Sequence, residues 1–355
     1  MTYPKHHWPE RNWYVVASTA EIGAAPVGRT VCGDPIVLYR TADGVVVALD
    51  DRCPHRGYPL SAGTLCGDEI RCGYHGLRFT PDGRCSFVPG QDRIPTRARV
   101  GTRPVAESGP WIWVWMGDPH APDFDRLPDI PWVADEGWTH VDGMELLDAR
   151  YGLLIDNLLD LSHETFLHGG LIGTPEVAET PITTTIDEAE AVVHVSRRMD
   201  AVECPKFYSG STGLRSPIDR WQDIEYHAPG YYLLHVRVAP VGSTPHDDRD
   251  DPQAAHMKVL YAITPIDDRR TMDFWAVCRD FGLGDPELDT FIAESNRAVV
   301  LQDVEALNLI EARLGDTWEP AEVSLKIDTG GLAARRVLSA MIASEHQTAV
   351  SVGAR

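Results

Sequence analysis

Two cysteine–histidine pairs stand close together near the start of the chain and limit what this part of it can fold into. Cys53-x-His55 and Cys72-x-x-His75 are separated by sixteen residues within "CPHRGYPLSAGTLCGDEIRCGYHG". Thiolates and imidazoles are metal ligands, and two pairs at this spacing require two tight loops that face one centre. Four such residues rarely fall into this order by chance, so we predict a metal site rather than four unrelated core residues.

The order of the ligands favours an iron–sulfur cluster over zinc. Structural zinc sites usually take paired cysteines and paired histidines, whereas each arm here carries one residue of each type. This suits a [2Fe–2S] cluster with both thiolates on one iron and both imidazoles on the other, the Rieske arrangement. Pro54 would stiffen one loop, and Gly57 and Gly73 would allow a close approach of the backbone. Zinc remains the alternative.

Composition limits the partners of the chain. Its 355 residues, enough for two ordinary domains, carry 53 acidic and 32 basic side chains, a formal net charge of −21. Nucleic acids and anionic membranes need a basic face, so we expect neither as a partner. No export signal and no apolar run of ~20 residues is visible, which predicts a cytoplasmic protein. The seven cysteines, an odd number, argue against a disulfide framework.

Hydrophobic patterning divides the chain in two. The first part shows short β-branched or aromatic runs broken by Asp-Gly and Gly-Asp pairs, typical of strands and turns. Prolines then cluster from Pro119 to Pro131. The second part has strand-like runs, followed by helical patterns from Asp285 and after residues 330–331. We therefore predict an α+β fold, with a β-rich domain over 1–125 and a helix-covered antiparallel sheet over 126–355.

The chain lacks the motifs that bind nucleotide cofactors. Neither G-x-G-x-x-G after a strand nor G-x-x-x-x-G-K-[ST] occurs, so we expect no bound nucleotide or flavin. An iron–sulfur cluster moves one electron at a time. The chain is therefore either an electron carrier or an oxygenase with its own reaction centre. The long second domain favours the oxygenase and should hold a second metal.

The segment "IDNLLDLSHETFLHGG" offers ligands for that second metal. A non-haem iron centre that activates oxygen uses two histidines and a carboxylate and keeps positions open. His163 and His168 are the candidate imidazoles. Residues five apart lie about 140° apart around a regular helix, so the helix must bulge or end between them. The alternative is that one histidine caps the helix and the other is a surface residue.

Carboxylates in the same segment and in a distant one could complete the predicted iron site. Asp160 precedes His163 by three residues on the same helical face and could accept its second ring N–H. A solvated helix charge is the alternative for Asp160. The third ligand must come from another segment, and Asp303 and Glu305 in "VVLQDVEALNL" are candidates. We favour Asp303 because apolar residues flank it.

Both constellations together resemble the α subunits of Rieske non-haem iron oxygenases. The cluster motif is followed by D-x-x-H-x-x-x-x-H, at Asp160, His163 and His168, with the usual intervening length. Three further segments resemble the vanillate O-demethylase oxygenase branch of the family. They are "YPKHHWP…NWYVVA", "LLIDNLLDLSHETFLH" and "LKIDTGGLAARRV".

The resemblance implies roles for individual residues and for partners. His163, His168 and Asp303 would bind a mononuclear Fe(II), with Asn157 nearby. Asp160 would bridge to a Rieske cluster through His75 of a neighbouring copy in a homo-oligomer, usually a trimer. Electrons would come from a separate NADH-dependent reductase with a flavin and a ferredoxin-type cluster.

The resemblance further implies an O₂-dependent monooxygenase that O-demethylates a methoxylated aromatic acid, as from vanillate to protocatechuate and formaldehyde. Hydroxylation of a ring or methyl group in another aromatic acid is the alternative. Arg215 and Arg220 are candidates for binding the substrate carboxylate, unless they are surface residues. Phe166, Tyr232 and Trp275 are candidates for aromatic walls, unless they belong to the core.

Overall fold

The computed structural model describes residues 8–243, 253–317 and 321–353, and the chain divides into two compact units. One unit is Glu10–Asp129, and the other is Ile130–Arg355 together with Met1–Pro9. The β-rich unit comes first and the mixed unit second, which confirms the α+β class. Residues 3–7 of the opening segment quoted above lie outside the described residues.

The first unit consists of short strands in three small antiparallel sheets. In strand order these are β1-β11-β10, β2-β3-β4-β9 and β5-β6-β7-β8. The strands are β1 (Trp13–Ser18), β2 (Val27–Val31), β3 (Asp34–Arg40), β4 (Val46–Asp50), β5 (Thr64–Cys66), β6 (Glu69–Arg71), β7 (Arg78–Phe79), β8 (Cys85–Phe87), β9 (Thr102–Arg103), β10 (Val105–Ser108) and β11 (Trp111–Trp115). β11 lies between β1 and β10 in its sheet, and all five of its residues are buried. The two cysteine–histidine loops follow β4 and β6.

The second unit is built on one seven-stranded antiparallel sheet in the order β12-β18-β17-β16-β15-β14-β13. Its strands are β12 (Thr139–Leu147), β13 (Thr183–Asp187), β14 (Val192–Val202), β15 (Ile218–His227), β16 (Tyr231–Pro240), β17 (Ala255–Asp267) and β18 (Arg270–Arg279). The strands of this sheet are long, and most residues of strands such as β18 are buried. The sheet is therefore a rigid surface on which the helices and loops pack.

Helices cover this sheet, as the patterning predicted. They are α1 (Tyr151–Leu158), α2 (His163–Leu167), α3 (Pro175–Glu179), α4 (Lys206–Thr212), α5 (Pro286–Leu314) and α6 (Thr329–Gly353). The Asp285 side chain caps α5 by accepting from the backbone N–H groups of Glu287 and Leu288. Within the part of the chain that the structure describes, no helix has the length and apolar character needed to cross a membrane.

The short helix α1 is fixed at both of its ends. At its start, the guanidinium of Arg150 donates two hydrogen bonds to Glu311 of α5, at 2.6 and 2.7 Å, and both residues are buried. Near its end, Asp156 pairs with Arg335 of α6. A Cβ on Gly331 would lie 2.8 Å from Asp156 Oδ1, so glycine at this position favours the close approach of α6 to α1. These contacts hold α1 beside the predicted iron site.

Candidate metal centres and active site

The two cysteine–histidine loops of the first unit have the same backbone geometry. The N–H of Cys53 donates to the Tyr58 carbonyl at 2.9 Å, and that of Cys72 donates to the Leu77 carbonyl at 2.8 Å. Gly57 and Gly76 each have φ = +73°, in the left-handed region that suits glycine, and each donates back to the cysteine carbonyl of its loop. The two loops therefore present their ligands in equivalent ways.

The donor set fits an iron–sulfur cluster with two different irons. The Cys53 and Cys72 thiols are buried, whereas the His55 and His75 rings are exposed with centroids 4.5 Å apart. Burial raises the pKa of Cys53 to about 11, against the effect of hydrogen bonds from the backbone N–H groups of His55 and Arg56. Hydrogen bonds of this kind to cluster sulfurs tune the reduction potential.

A single zinc ion fits these loops less well. Among the described residues, only His163, His168 and Asp303 bring three possible ligand atoms within 4.8 Å of one another. The four ligands of the two loops are therefore more widely spread than tetrahedral coordination of one ion requires. A cluster with two irons has ligands at two separate metal atoms.

The second unit gathers the predicted two histidines and one carboxylate. Nε2 of His168 lies 3.2 Å from Oδ1 of Asp303, and Nε2 of His163 lies 3.6 Å from the same oxygen. His163 is the first residue of α2, and the helix ends at Leu167, immediately before His168. Ending the helix there brings the two rings to a centroid distance of 5.1 Å. Two imidazoles and one carboxylate are the ligands of a non-haem iron with open positions.

Each histidine of this triad has a neighbour for its second ring nitrogen. Nδ1 of His168 lies 2.8 Å from the amide oxygen of Gln302. Nδ1 of His163 lies 3.9 Å from Asp160, too far for a hydrogen bond. Burial lowers the pKa of His168, but its bonds to Asp303 and Gln302 outweigh this, so its pKa is raised. The buried Nε2 of His168 faces Oδ1 of Asp303 at 3.2 Å, as two ligand atoms of one metal ion would.

Asn157 lies against the carboxylate of the triad. Its Nδ2 donates to Oδ1 of Asp303 at 2.9 Å, the oxygen that both histidines face. The amide oxygen of Asn157 is buried without a hydrogen-bond partner in the part of the chain described. Asn157 therefore orients Asp303 through its amide N–H. Its amide oxygen takes no part in that bond and is available to accept another.

A pocket opens above the triad, between the helices and β15, β16 and β17. Most of the surface that lines it is apolar, and nine apolar residues contribute to it. They are Leu158, Leu161, Ile172, Phe207, Leu234, Val236, Met257, Val259 and Val299. The polar lining residues outside the triad are Glu164, Tyr208, Arg220, Gln222, Tyr232, Tyr261 and Asn296. Burial raises the pKa of the Tyr208, Tyr232 and Tyr261 hydroxyls, so all three are protonated donors at neutral pH.

Arg220 and Tyr232 line this pocket, but the guanidinium of Arg220 already has an anionic partner. It donates to Oε2 of Glu164 at 2.9 Å, and Gln222 donates to Oε1 of the same carboxylate at 2.7 Å. Glu164 and Arg220 are 5% and 1% exposed. The two charges therefore compensate each other inside the protein instead of leaving a cation for a substrate carboxylate.

Three candidates for substrate contacts do not line this pocket. Arg215 is exposed and outside the lining. Phe166 is 84% exposed, because α2 turns this position outward. Trp275 is 2% exposed and belongs to the hydrophobic core, packed over Gly143 of the neighbouring strand. Strand and helix patterns do not show which face of an element meets a cavity.

Six polar residues of the site were not predicted from the sequence: Glu164, Tyr208, Gln222, Tyr261, Asn296 and Gln302. A partial signal existed for two of them. Glu164 directly follows a predicted ligand, and Gln222 stands two residues from Arg220, on the same face of a strand. Asn296 and Gln302 lie on the same helix as Asp303 but carry no local signal.

A cluster-binding pair of loops and a two-histidine, one-carboxylate site on a helix-covered sheet define a Rieske non-haem iron oxygenase. Comparison with known proteins agrees with this class. Residues 12–98 match the Rieske [2Fe-2S] domain, and residues 147–344 match the vanillate O-demethylase oxygenase C-terminal domain. The chain belongs to this family of oxygenases.

Individual relatives resemble the chain over most of its length. The vanillate O-demethylase oxygenase subunit of Pseudomonas sp. (strain HR199 / DSM 7063) is 34% identical over 96% of this chain and 97% of its own. The dicamba O-demethylase oxygenase component of Stenotrophomonas maltophilia is 34% identical over 85% and 87%. The crystal structure of dicamba monooxygenase bound to 3,6-dichlorosalicylic acid superposes with a TM-score of 0.87 at 30% identity, covering 96% of this chain and 99% of that one.

Proposed function

We propose that this Rieske terminal oxygenase removes the methyl group of a methoxylated aromatic acid, with vanillate as the first compound to test. The products from vanillate would be protocatechuate and formaldehyde. The observation that carries the proposal is the position of the His163, His168 and Asp303 triad at the base of a mostly apolar pocket. The relatives named above, which include two O-demethylase oxygenases, support the reaction type.

The proposed ligand sets are Cys53, His55, Cys72 and His75 for the cluster, and His163, His168 and Asp303 for the mononuclear iron. When bound, the cluster and the iron would supply one-electron transfer and oxygen activation. The chain's own residues would hold the substrate and exclude water. Apolar walls would contact the ring, and the hydroxyls of Tyr232 and Tyr261 would donate to polar substituents.

We propose that Asp160 links His163 to a second copy of the chain. Ser162 donates two hydrogen bonds to Oδ1 of Asp160, at 2.7 Å from its N–H and 2.6 Å from its hydroxyl. This fixes the carboxylate and leaves Oδ2 on the side of His163. The side chain is 26% exposed, so its free oxygen can accept from the His75 ring of another copy in a homo-oligomer such as a trimer.

A separate reductase would complete the system. The motifs for binding NADH or flavin are missing from the sequence, and one-electron delivery to a Rieske domain suits a flavin and ferredoxin-type protein. The acidic surface of the chain would favour a basic docking face on that partner.

Aerobic turnover with a surrogate reductase tests the proposal. Vanillate should yield formaldehyde and protocatechuate in equal amounts, with one O₂ consumed per substrate. The Asp303→Ala variant should yield neither product, because it lacks a ligand of the mononuclear iron. A hydroxylated product without formaldehyde would favour the ring- or methyl-hydroxylating alternative. An iron content of two rather than three per chain would favour an electron carrier.

A further inference from the structure

We propose that Arg220 is a positioning residue for the mononuclear iron, which fastens the segment that carries both histidine ligands to the sheet. This inference rests on the proposed function for its iron site and its substrates. It assigns Arg220 a different task from the carboxylate binding that its sequence position suggested. Three sets of contacts support it.

The segment needs support from outside itself. Helix α2 has only five residues, His163–Leu167, and a helix of this length is not stable on its own. The His168 carbonyl accepts from the backbone N–H groups of three following residues, up to Gly173. The direction of the two imidazoles therefore depends on tertiary contacts that hold α2 and the loop after it.

Arg220 binds this segment at two points, one between the two histidines and one after the second histidine. One terminal nitrogen, Nη2, binds the carboxylate of Glu164, the residue directly after His163. The other, Nη1, donates to the carbonyl of Ile172, four residues after His168, at 3.0 Å. Because a guanidinium is planar and rigid, these two bonds set the distance between Glu164 in α2 and Ile172 in the loop that follows His168.

The surroundings of Arg220 fix the guanidinium itself. It lies 4.8 Å from the centroid of the Tyr208 ring, and it extends from β15, inside the seven-stranded sheet. Gln222, from the same face of β15, adds the second bond to Glu164. A second buried arginine, Arg197 of β14, reaches the Leu161 carbonyl just before His163 at 3.4 Å. The iron-binding segment is thus held by side chains of two adjacent strands.

The decisive variant is Glu164→Gln combined with Arg220→Gln. It removes both buried charges together, so neither is left unpaired. It also removes the guanidinium that connects Glu164 to the Ile172 carbonyl. The affinity of the mononuclear site for Fe(II), measured by titration of the cluster-loaded protein, should fall about 10-fold or more. The EPR spectrum of the Rieske cluster should stay unchanged, because its ligands belong to the other unit. The matched control is Arg215→Gln, an exposed arginine, which should alter neither measurement.

Turnover separates positioning from substrate binding. With vanillate and with its neutral amide, the double variant should lose kcat/KM by the same factor, since loss of iron positioning affects both substrates equally. A rise in KM for vanillate alone would show that Arg220 binds the carboxylate, and it would overturn the proposal. Wild-type iron affinity in the double variant would also overturn it.

A second variant and the turnover of the wild-type protein resolve the two ambiguous outcomes. If the double variant does not fold, Arg220→Lys decides, because it keeps the charge and loses the fork. Its iron affinity should fall, and an unchanged affinity would overturn the proposal. If the wild-type protein releases formaldehyde from neither compound, the proposed demethylation fails, while the iron titrations still decide the role of Arg220.

Discussion

Gln302 accepts a hydrogen bond from His168, with 2.8 Å between the amide oxygen and Nδ1. An amide oxygen can only accept, so Nδ1 carries the proton and Nε2 is free to bind metal. The next residue along α5 is Asp303, the carboxylate of the triad. One turn of α5 thus supplies a ligand and also sets the tautomer of another ligand from the end of α2.

Replacing Gln302 by leucine should weaken the mononuclear site. Without the amide oxygen, Nδ1 of His168 has no acceptor, and we expect Fe(II) affinity to fall about 10–100-fold. Titration of cluster-loaded protein with Fe(II) measures this. The control is Glu305→Gln, an exposed position on the same helix, which should bind iron normally. Iron loss in that control would instead point to Glu305 as the carboxylate ligand.

The Asp160→Asn variant should retain both metal sites and lose turnover. An amide is a poorer acceptor than a carboxylate, so the proposed link from His163 to a second copy would be weakened. We expect the rate of formaldehyde release to fall by about 10–100-fold, at unchanged iron content. Asp200→Asn, an exposed carboxylate of β14, is the control. A normal rate in Asp160→Asn would exclude the bridging role.

Cys72→Ser should remove the cluster and spare the mononuclear site, because the two ligand sets belong to different units. Iron content should fall from about three to about one per chain, with loss of the Rieske EPR signal. Cys85→Ser, in the same unit but outside the two loops, should retain both. Zinc in the wild-type protein at one ion per chain would contradict the cluster assignment.

Asp273 should make stability depend on pH. This carboxyl group of β18 is 1% exposed, and burial raises its pKa well above the ordinary value, with smaller contributions from Asp303 and Glu145. The folded state therefore holds a proton that the unfolded chain releases near pH ~3.9, so stability declines as pH rises above that value.

The isosteric variant Asp273→Asn tests this expectation. It stays neutral at every pH, so it should be more stable than the wild type by on the order of 1–3 kcal/mol at neutral and alkaline pH. The difference should shrink as the pH falls towards ~4. Unfolding in denaturant across this range measures it. Parallel pH profiles for the two proteins would show that the Asp273 carboxyl is ionised in the fold.

Much of the chemistry was predictable because the relevant signals are local. The cluster loops are set by ligand spacing and by glycines at left-handed positions, such as Gly57. The interruption between His163 and His168 followed from helix geometry alone, and the helix does end there. The α+β class followed from strand and helix patterning and was confirmed.

Contacts between distant segments could not be predicted from the sequence in the same way. Asp303 was one of two carboxylates on a helix pattern, and only the packing of α5 places it against His163 and His168. Arg220 was one of two candidate arginines for a substrate carboxylate, but Glu164 already neutralises its charge. Trp275 is a residue type that often lines aromatic pockets, but here it is buried in the hydrophobic core.

The sequence by itself therefore determined which ligand types are present, how they are spaced and what class of fold presents them, since these depend on neighbours within a few residues. The tertiary structure alone decided which charges meet, which side chains face the pocket and which helix supplies the third ligand. The physical reason is that burial and charge pairing are properties of surfaces brought together by folding. Nothing in the sequence around Glu164 or Arg220 indicates that their side chains form one buried ion pair.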